Sequence, residues 1–330
     1  MATAVKSLVD TGAEDLTPED ERLEQRVGKP HFRLRSGIER DYEARLFGYG
    51  RNFFHIENWY SVHSLIRATL SLLGLHQRGR RNARDIQVRE HEIELNHLPA
   101  AFDGYTILHI SDMHLDMHLD IPQAIAAAVS ELDYDLCVLT GDFRARTHGP
   151  CDEALAGMRQ LRDHLKTAVY GVLGNHDSIR MVGALEAMDI GMLMNESVTV
   201  KRGDAAIYIA GIDDPHYYRA DNLEKALQGV PDEAVSILLS HSPEMYRHAA
   251  YACLDVMLCG HTHGGQICLP GGIPLMVNAN CPRRFCNGRW HYQNLSGYTS
   301  AGAGSCVVDV RFNCPPEVTL HRLRQGASTE

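Results

Sequence analysis

The sequence lacks several features that would assign it to particular classes of protein. Its 32 lysine and arginine residues are outnumbered by 42 aspartate and glutamate residues, which gives a formal net charge of −10. A protein that binds nucleic acid without sequence preference needs a basic surface that releases counterions, so we expect no nucleic-acid partner. Internal repeats and low-complexity segments are also missing, and a content of 44% hydrophobic and 22% charged residues is typical of a globular protein.

The nine cysteines follow no CxxC spacing, and no apolar stretch near the N-terminus precedes a signal-peptide cleavage site. These absences argue against secretion and against a disulfide framework. We therefore expect reduced thiols and a cytoplasmic location. Cys137, Cys259 and Cys306 fall within strand-like apolar runs, where we expect small core residues and no metal or redox role.

Residues 1–52 are polar, carry charges of both signs and show no sustained period, so we expect a flexible or loosely docked arm. Residues 53–75 differ, because polar side chains recur there every three or four positions between apolar ones. This pattern predicts an amphipathic helix with a wide apolar face. The charged residues Glu57 and Arg67 interrupt its apolar stretch, so we do not expect this helix to span a membrane.

A basic cluster follows this helix at residues 77–84, and two interpretations of residues 53–85 stay open. In the first, helix and cluster form a peripheral anchor on the anionic inner face of the cell membrane. In the second, the helix packs on the rest of the protein and the arginines are merely solvated, since docked helices also have wide apolar faces.

From residue 90 onward, strand-like and helix-like patterns alternate, which predicts an α/β domain with a largely parallel sheet. Helical patterns lie at residues 122–132, 152–165 and 178–188. Hairpin-like segments between residues 190 and 213 indicate a second, mixed sheet.

Five short apolar runs in this region each end abruptly in polar residues. Because the runs show no polar alternation, they predict strands that are buried on both faces. Open α/β sheets bind their ligands in the crevice outside the carboxyl ends of the strands, so we expect the five endings to meet in one crevice. The runs with their endings are residues 106–114, 136–142, 169–177, 235–243 and 254–265.

The residues at these endings are types that bind divalent metals. Asp112 and His114 are two positions apart in an extended segment and project from the same face, so both can reach one ion. Asp142 offers a second carboxylate that could bridge two ions. The carboxylates and imidazoles suit zinc, manganese or iron(II) and do not suit calcium. The remaining candidates, one amide and three imidazoles, are Asn175, His241, His261 and His263.

The order of these motifs resembles the calcineurin-like metallophosphoesterase superfamily, whose pattern is D-x-H, G-D, G-N-H-D/E, H and G-H-x-H. The resemblance implies a four-layer αββα sandwich of two mixed sheets over residues 90–325, here with an N-terminal helical extension. It also implies a phosphoesterase with two divalent metal ions, in which a metal-bridging hydroxide attacks phosphorus. By the same resemblance, Asp112, His114 and His263 hold one ion, Asn175, His241 and His261 hold the other, and Asp142 bridges them.

Residues 261–266 and 311–317 are similar to a bacterial branch of membrane-associated phosphodiesterases that includes UDP-2,3-diacylglucosamine pyrophosphatase-like members. This similarity implies a phosphodiester or pyrophosphate substrate that is lipid-linked or close to the membrane. For the metal we take manganese as the first expectation, with zinc or iron as alternatives. A soluble phosphomonoesterase, a phosphoprotein phosphatase and a nuclease of the same superfamily are alternative functions. A scaffold without catalysis is a further alternative, although it would not need the complete ligand set.

Two residues of the third ending are the catalytic candidates. The resemblance places His176 near the leaving oxygen of the substrate and not on a metal, where it protonates that oxygen or stabilises its charge. Asp177 has two interpretations: it orients His176 through the other ring nitrogen, or it caps the helix that follows.

Four further residues are candidates for substrate binding. Arg144 lies shortly after the bridging aspartate and could reach a substrate phosphate, or could simply be solvated. Gly264 could let the backbone approach the metal site, or serve a plain turn. Arg283 and Arg284 belong to an insert, residues 281–289, that is well placed to bind an anionic or lipid head group at the rim of the site.

Overall fold

The computed structural model describes residues 16–47 and 60–326. Within these ranges the helices are α1 (Pro18–Val27), α2 (Lys29–Phe47), α3 (Tyr60–Leu72), α4 (His76–Asn82), α5 (Ile121–Val129), α6 (Asp152–Arg162), α7 (Met181–Glu186), α8 (Leu223–Ala226) and α9 (Tyr246–Tyr251). The strands are β1 (Gln87–Leu95), β2 (Thr106–Ile110), β3 (Leu136–Leu139), β4 (Val169–Gly171), β5 (Ile190–Met192), β6 (Glu196–Arg202), β7 (Ala205–Gly211), β8 (Ser236–Leu239), β9 (Val256–Cys259), β10 (Cys268–Leu269), β11 (Ile273–Pro274), β12 (Gly288–Tyr292), β13 (Leu295–Thr299) and β14 (Glu317–Gln325).

Two six-stranded sheets dominate the described part of the chain. The first has the order β1-β14-β2-β3-β4-β5 and the second has the order β12-β13-β9-β8-β7-β6. Strands β2 to β5 run parallel, whereas β14 runs antiparallel to β2. In the second sheet β7, β8, β9 and β13 run parallel, and β6 and β12 pair antiparallel at the edges. The prediction of an α/β fold with two mixed sheets is confirmed.

The two sheets pack face to face, and helices cover their outer faces. One core cluster joins apolar side chains of both sheets, such as Ile107 and Val138 from the first and Ile209 and Leu258 from the second. Another cluster fixes α5, α6 and α7 on the first sheet, and a third packs α8 and α9 on the second. Every residue of β2, β3, β8 and β9 is buried, as expected for strands covered on both faces.

The described part of the N-terminal arm is helical where the sequence pattern indicated no regular structure. The side chains of Thr17 and Asp20 form a capping box that starts α1. Helix α2 then carries Arg35 into the protein, where it is fully buried. The expected flexible or loosely docked segment is therefore wrong for residues 16–47, because ion pairs to distant parts of the chain dock it. The rest of the arm lies outside the described residues.

The amphipathic helix predicted from residue 53 is described from Tyr60 onward as α3; its earlier part lies outside the described residues. None of the α3 residues whose exposure is described is buried. The basic cluster forms α4 and the turn after it, where Arg84 pairs with Asp120 and Asp309 and is therefore not merely solvated. Within the described ranges, no helix combines the length and the apolar character needed to cross a membrane.

Candidate metal centre

The predicted ligands follow the carboxyl ends of five strands, three in the first sheet and two in the second. In chain order, Asp112 and His114 follow β2, Asp142 follows β3, Asn175 follows β4, His241 follows β8, and His261 and His263 follow β9. All seven side chains are buried. Because the sheets pack face to face, these endings meet in one crevice.

The backbone is strained at most of these positions. Five of the predicted ligands have left-handed φ values between 44° and 72°: Asp112, His114, Asp142, His261 and His263. This conformation costs on the order of 1–3 kcal/mol for a residue with a side chain and persists mainly at functional sites. The neighbouring loop fits only because Gly174 has no side chain, since a Cβ there would lie 2.2 Å from Oδ1 of Asp142.

Four of the side chains form a first group. The Nε2 atoms of His114 and His263 are 3.0 Å apart, and Nε2 of His263 is 3.4 Å from Oδ1 of Asp112. Nε2 of His114 is 3.8 Å from Oδ2 of Asp142. One ligand atom from each of the four residues lies within 4.8 Å of the others, close enough for the group to share one ion.

A second group lies on the other side of Asp142. Oδ1 of Asn175 is 3.0 Å from Nε2 of His241 and 2.9 Å from Nδ1 of His261. Nε2 of His241 is in turn 3.3 Å from Oδ2 of Asp142. The structure thus brings all seven predicted ligands together, with the same oxygen of Asp142 facing both groups.

Two of the imidazoles in the first group are in the neutral state that binds metal. Burial lowers the pKa of His114 to about 3 and holds the pKa of His263 well below its ordinary value, so both rings are neutral. In one histidine after each sheet, a backbone carbonyl oxygen holds the other ring nitrogen. Nδ1 of His114 lies 2.8 Å from the carbonyl oxygen of Arg144, and Nδ1 of His241 lies 2.7 Å from that of Thr140. Such bonds orient metal-binding imidazoles.

The charges in the crevice also fit a divalent cation. Burial raises the pKa of Asp112 to about 6, and the charge of Asp142 adds to this shift. Burial favours the neutral ring of His241, but the charge of Asp142 outweighs it and raises the pKa of His241 to about 10. The buried carboxylates therefore depend on one imidazolium for balance, and a divalent cation would supply the same positive charge.

Known proteins are similar to this chain. The family model of the calcineurin-like phosphoesterases matches residues 105–265. The uncharacterized metallophosphoesterase YkoQ of Bacillus subtilis (strain 168) is 30% identical over 253 residues, which cover 74% of this chain and 92% of the relative. The chain belongs to the calcineurin-like phosphoesterase family.

Two other relatives of this phosphoesterase have names that describe them further. Phosphodiesterase YaeI of Escherichia coli (strain K12) is 25% identical over 238 residues, covering 66% of this chain and 82% of the relative. A transmembrane protein with metallophosphoesterase domain from Bos taurus is 28% identical over 312 residues, covering 86% of this chain and 68% of the relative. Family membership and the ligand cluster make the enzyme a metal-dependent phosphoesterase.

His176 of the phosphoesterase lies beside the predicted ligands without joining either group. Its Nε2 is 3.9 Å from Oδ2 of Asp142. Its Nδ1 is 2.7 Å from the carbonyl oxygen of Ala145. The ring is therefore oriented by a backbone carbonyl, and the prediction that Asp177 orients it is wrong.

Asp177 has a different role from either one predicted. It does not cap the next helix, since α7 begins at Met181 with Arg180 as its cap residue. Its carboxylate instead accepts the backbone N–H groups of Asp142, Phe143, Arg144 and Gly174. Asp177 thereby shapes the loop that presents the shared ligand, and because this loop is distant in sequence no local pattern signals the role.

Arg144 is buried and turned away from the cleft. Its Nε donates to the carbonyl oxygen of His176, and its Nη1 donates to that of Gly149 at 2.8 Å. The predicted contact with substrate phosphate is replaced by a contact that holds the His176 loop.

The other three substrate candidates also lie outside the cleft lining. A side chain at Gly264 would collide with Cys314, so this glycine serves close packing behind the site. Arg283 and Arg284 are exposed, and the guanidinium of Arg284 lies 4.7 Å from the ring centre of Phe285. The structure does not bring these two arginines into the crevice.

A cleft of about 120 Å³ opens onto His176 and three of the predicted ligands, and its wall also includes other residues. The three ligands are Asp142, His261 and His263, and the other residues include Gln266, Met276, Asn278 and Cys306. The expectation that Cys306 is a core strand residue is wrong, because its loop returns to the site. A larger cleft of about 780 Å³ lies between α1 and α7 and contains none of the candidate residues.

Arg311 has a role at the site that the sequence did not predict. Its side chain is fully buried, and its guanidinium donates to the carbonyl oxygens of Ala301, Gly302 and Gly304. Nη2 of Arg311 is also 3.3 Å from Nδ1 of His263. The arginine fixes a neighbouring loop against a predicted ligand. Its position in the 311–317 motif was the sequence signal that could have pointed to this role.

Proposed function

We propose that the enzyme holds two divalent cations and hydrolyses a phosphodiester or pyrophosphate bond in a lipid-linked or membrane-proximal substrate. The place of Asp142 supports the two-cation centre, because its Oδ2 faces His114 in one group and His241 in the other at 3.8 and 3.3 Å. Each group also contributes one oxygen ligand and two imidazoles of its own, a set suited to one borderline cation. When bound, the cations neutralise charge on the phosphate and acidify the attacking water.

His176 is in place to act on the leaving group. Its Nδ1 donates to the carbonyl oxygen of Ala145, which fixes the ring, and the side chain lines the cleft. In its protonated form the ring donates the Nε2 proton to the leaving oxygen and so neutralises the charge that develops there. Arg144 supports this geometry through its bond to the carbonyl of His176.

The size of the cleft favours a substrate of which only the phosphate is enclosed. Its volume of about 120 Å³ is well below the roughly 300–1,000 Å³ of sites that enclose a whole small molecule. The remainder of the substrate then lies over the rim formed by residues 264–282, which contain no charged side chain. Leu269, Ile273, Leu275 and Met276 of this rim are each 48–59% exposed, and they favour a hydrocarbon chain.

Helix α4 adjoins the same rim and, together with α3 before it in the chain, supports a peripheral membrane contact. Helix α4 packs so closely that a side chain at Gly79 would collide with Phe312, and Phe312 bridges to Ile267 just before the β10-β11 hairpin. At the end of α3, Leu72 and Leu73 are 89% and 62% exposed. Exposed apolar side chains on the rim and at the end of α3, together with the arginines of α4, suit an anionic bilayer surface.

Metal analysis combined with activity tests the centre. Asp142→Ala removes the shared ligand, so we expect loss of both metal and turnover. His176→Ala should retain two equivalents of metal but lose turnover by about 10²–10⁴-fold, the usual contribution of a general acid. His291→Ala, which changes an exposed histidine of β12, serves as the control. Full metal content in Asp142→Ala, or unchanged turnover in His176→Ala, would contradict the proposal.

Substrate class is tested with the bis ester and the monoester of p-nitrophenyl phosphate, followed by lipid-linked diesters and pyrophosphates. We expect the diester to be cleaved faster than the monoester, and a lipid-linked substrate faster than its soluble head group. Preference for the monoester would favour the phosphatase alternative.

The membrane contact is tested by sedimentation of the full chain with vesicles of phosphatidylglycerol or of phosphatidylcholine alone. We expect binding to the anionic vesicles, and loss of that binding in the double variant Ile273→Ser, Leu275→Ser. Tyr251→Ser removes a similarly exposed apolar side chain, on α9, and should bind like the wild type. Equal binding of all three proteins would refute the role of the rim.

A further inference from the structure

Cys306 brings to the metal centre a thiol that the family pattern does not include. Its Sγ forms a cluster with His114 and His263 in which one ligand atom from each residue lies within 4.8 Å of the others. The same sulfur is 3.9 Å from Nε2 of His176. The side chain is partly buried and lines the cleft, so it is both accessible and close to one of the two ligand groups.

Gln266 sets the position of the thiol. Its side-chain amide donates to the carbonyl oxygen of Cys306 at 2.8 Å and accepts the N–H of Cys306, also at 2.8 Å. The backbone N–H of Gln266 donates in turn to the carbonyl oxygen of His263. The loop that carries Cys306 is therefore tied to the strand ending that carries a predicted ligand.

An independent observation indicates that the cleft is built to receive an ion or ligand. Nε2 of His261 is buried, and within the described structure it has no hydrogen-bond partner. His261 lines the same cleft. Buried polar atoms without a partner are rare in native proteins and often mark the place of an ion or water.

We propose that Sγ of Cys306 is an additional ligand of the cation held by Asp112, His114 and His263, which rests on the two-cation centre proposed above. Metal–sulfur and metal–nitrogen bonds of about 2.3 and 2.1 Å allow two ligand atoms on one ion to be about 4.4 Å apart at most, so a shift of about 0.5 Å or less brings the sulfur within reach of an ion shared with His114 and His263. Cys306 binds as the thiolate, and its proton passes to solvent.

A thiolate ligand changes which metal this position prefers. Thiolates are soft ligands that favour zinc over manganese, whereas carboxylates and water suit manganese. With Cys306 bound, the first group offers carboxylate, imidazole and thiolate together. The metal at this position is then zinc or another thiophilic ion, and the manganese expected from the sequence is confined to the second group.

Cobalt provides a direct test, because a thiolate bound to Co²⁺ gives charge-transfer absorption in the near ultraviolet that imidazole and carboxylate ligands lack. The metal-free full chain is titrated with CoCl₂ under argon. We expect the absorption to saturate at one of two bound equivalents in the wild type and in Cys253→Ser, a change at an exposed cysteine after α9. Cys306→Ser should bind two equivalents without the absorption. Its persistence in Cys306→Ser would overturn the proposal.

Competition between zinc and manganese gives a second readout. Even a residue that only hydrogen-bonds to a metal ligand contributes about 10–100-fold to affinity. A direct ligand should contribute no less, so Cys306→Ser should weaken zinc binding by at least about tenfold, with a much smaller change for manganese. Gln266→Ala should reduce the cobalt absorption by releasing the Cys306 loop. If the wild-type protein binds two cobalt ions without the absorption, Cys306 is not a ligand but the two-cation centre stands. If it binds no metal, the proposed centre itself is wrong.

Discussion

At the scale of single residues, Asp177 shows how a buried carboxylate can organise a site without touching a predicted metal position. Burial raises its pKa, and the charge of Asp142 adds to this shift. Four backbone N–H groups, including those of Asp142 and Gly174, compensate by donating to the carboxylate. The loops after β3 and β4 are therefore joined through one side chain.

Removing this carboxylate should loosen both loops. In Asp177→Ala four buried donors lose their acceptor, and each costs about 1–3 kcal/mol, so we expect a loss of at least about 4 kcal/mol in the free energy of unfolding and reduced metal content. Asp177→Asn keeps one acceptor oxygen, so its free energy of unfolding and its metal content should lie between those of the wild type and Asp177→Ala. Urea denaturation and metal analysis check both effects, with Asp163→Ala at the exposed end of α6 as the control. A stable Asp177→Ala protein with full metal content would contradict this account.

At the scale of elements, α2 supports the loop of His176 from behind. Nε of Arg35 is 3.1 Å from Oδ2 of Asp213, and its guanidinium carbon lies 3.3 Å from the ring centre of Tyr218. Nη2 of Arg35 donates to the carbonyl oxygen of Asp177. The arm thus reaches the segment that carries His176.

Breaking this contact should affect stability and activity together. Arg35→Met removes the guanidinium partner of the buried Asp213 but leaves His31 beside it, so the loss is at most the roughly 3–5 kcal/mol of a buried charge without any partner. We expect a decrease of up to this size in the free energy of unfolding by urea, and slower turnover because the Asp177 backbone loses a donor. Arg33→Met, which changes a largely exposed arginine of the same helix, should change neither. The double variant Arg35→Met, Asp213→Asn should recover part of the stability, and equal stability of Arg35→Met and wild type would refute the docking role.

At the scale of the whole molecule, the sheet order places three histidines in one buried chain. Nδ1 of His91 on β1 is 3.0 Å from Nδ1 of His321 on β14, and Nε2 of His321 is 3.3 Å from Nδ1 of His109 on β2. Burial lowers the pKa of His109 to about 3 and holds the pKa of His321 well below its ordinary value. These rings are neutral in the folded protein and become protonated more readily once it unfolds.

This arrangement predicts acid sensitivity. Because the folded pKa values lie below the unfolded value of about 6.5, the unfolded state binds more protons below that pH. The stabilisation is complete above pH 6.5 and is lost as the pH falls toward the folded values, by about 2 kcal/mol for His109 between pH 7.5 and pH 5. Urea denaturation at these two pH values should show this loss, and His321→Gln should make it smaller. If His321→Gln loses as much stability between pH 7.5 and pH 5 as the wild type does, the buried histidines are not the cause of the acid sensitivity.

The sequence alone determined the two-sheet α/β fold and the seven predicted ligands at the crevice, and the reason is local. Buried strands have a recognisable apolar pattern, and in a parallel arrangement the residues that follow them must lie at one edge of the sheet. Only the tertiary structure decided the partners of those residues: the carbonyl of Ala145 on His176, the four amides on Asp177, and the return of Cys306 to the cleft. Such contacts join segments far apart in the chain and leave no periodic signal. The docking of α2 through Arg35 likewise depends on Asp213, a residue that the folded chain alone brings next to it.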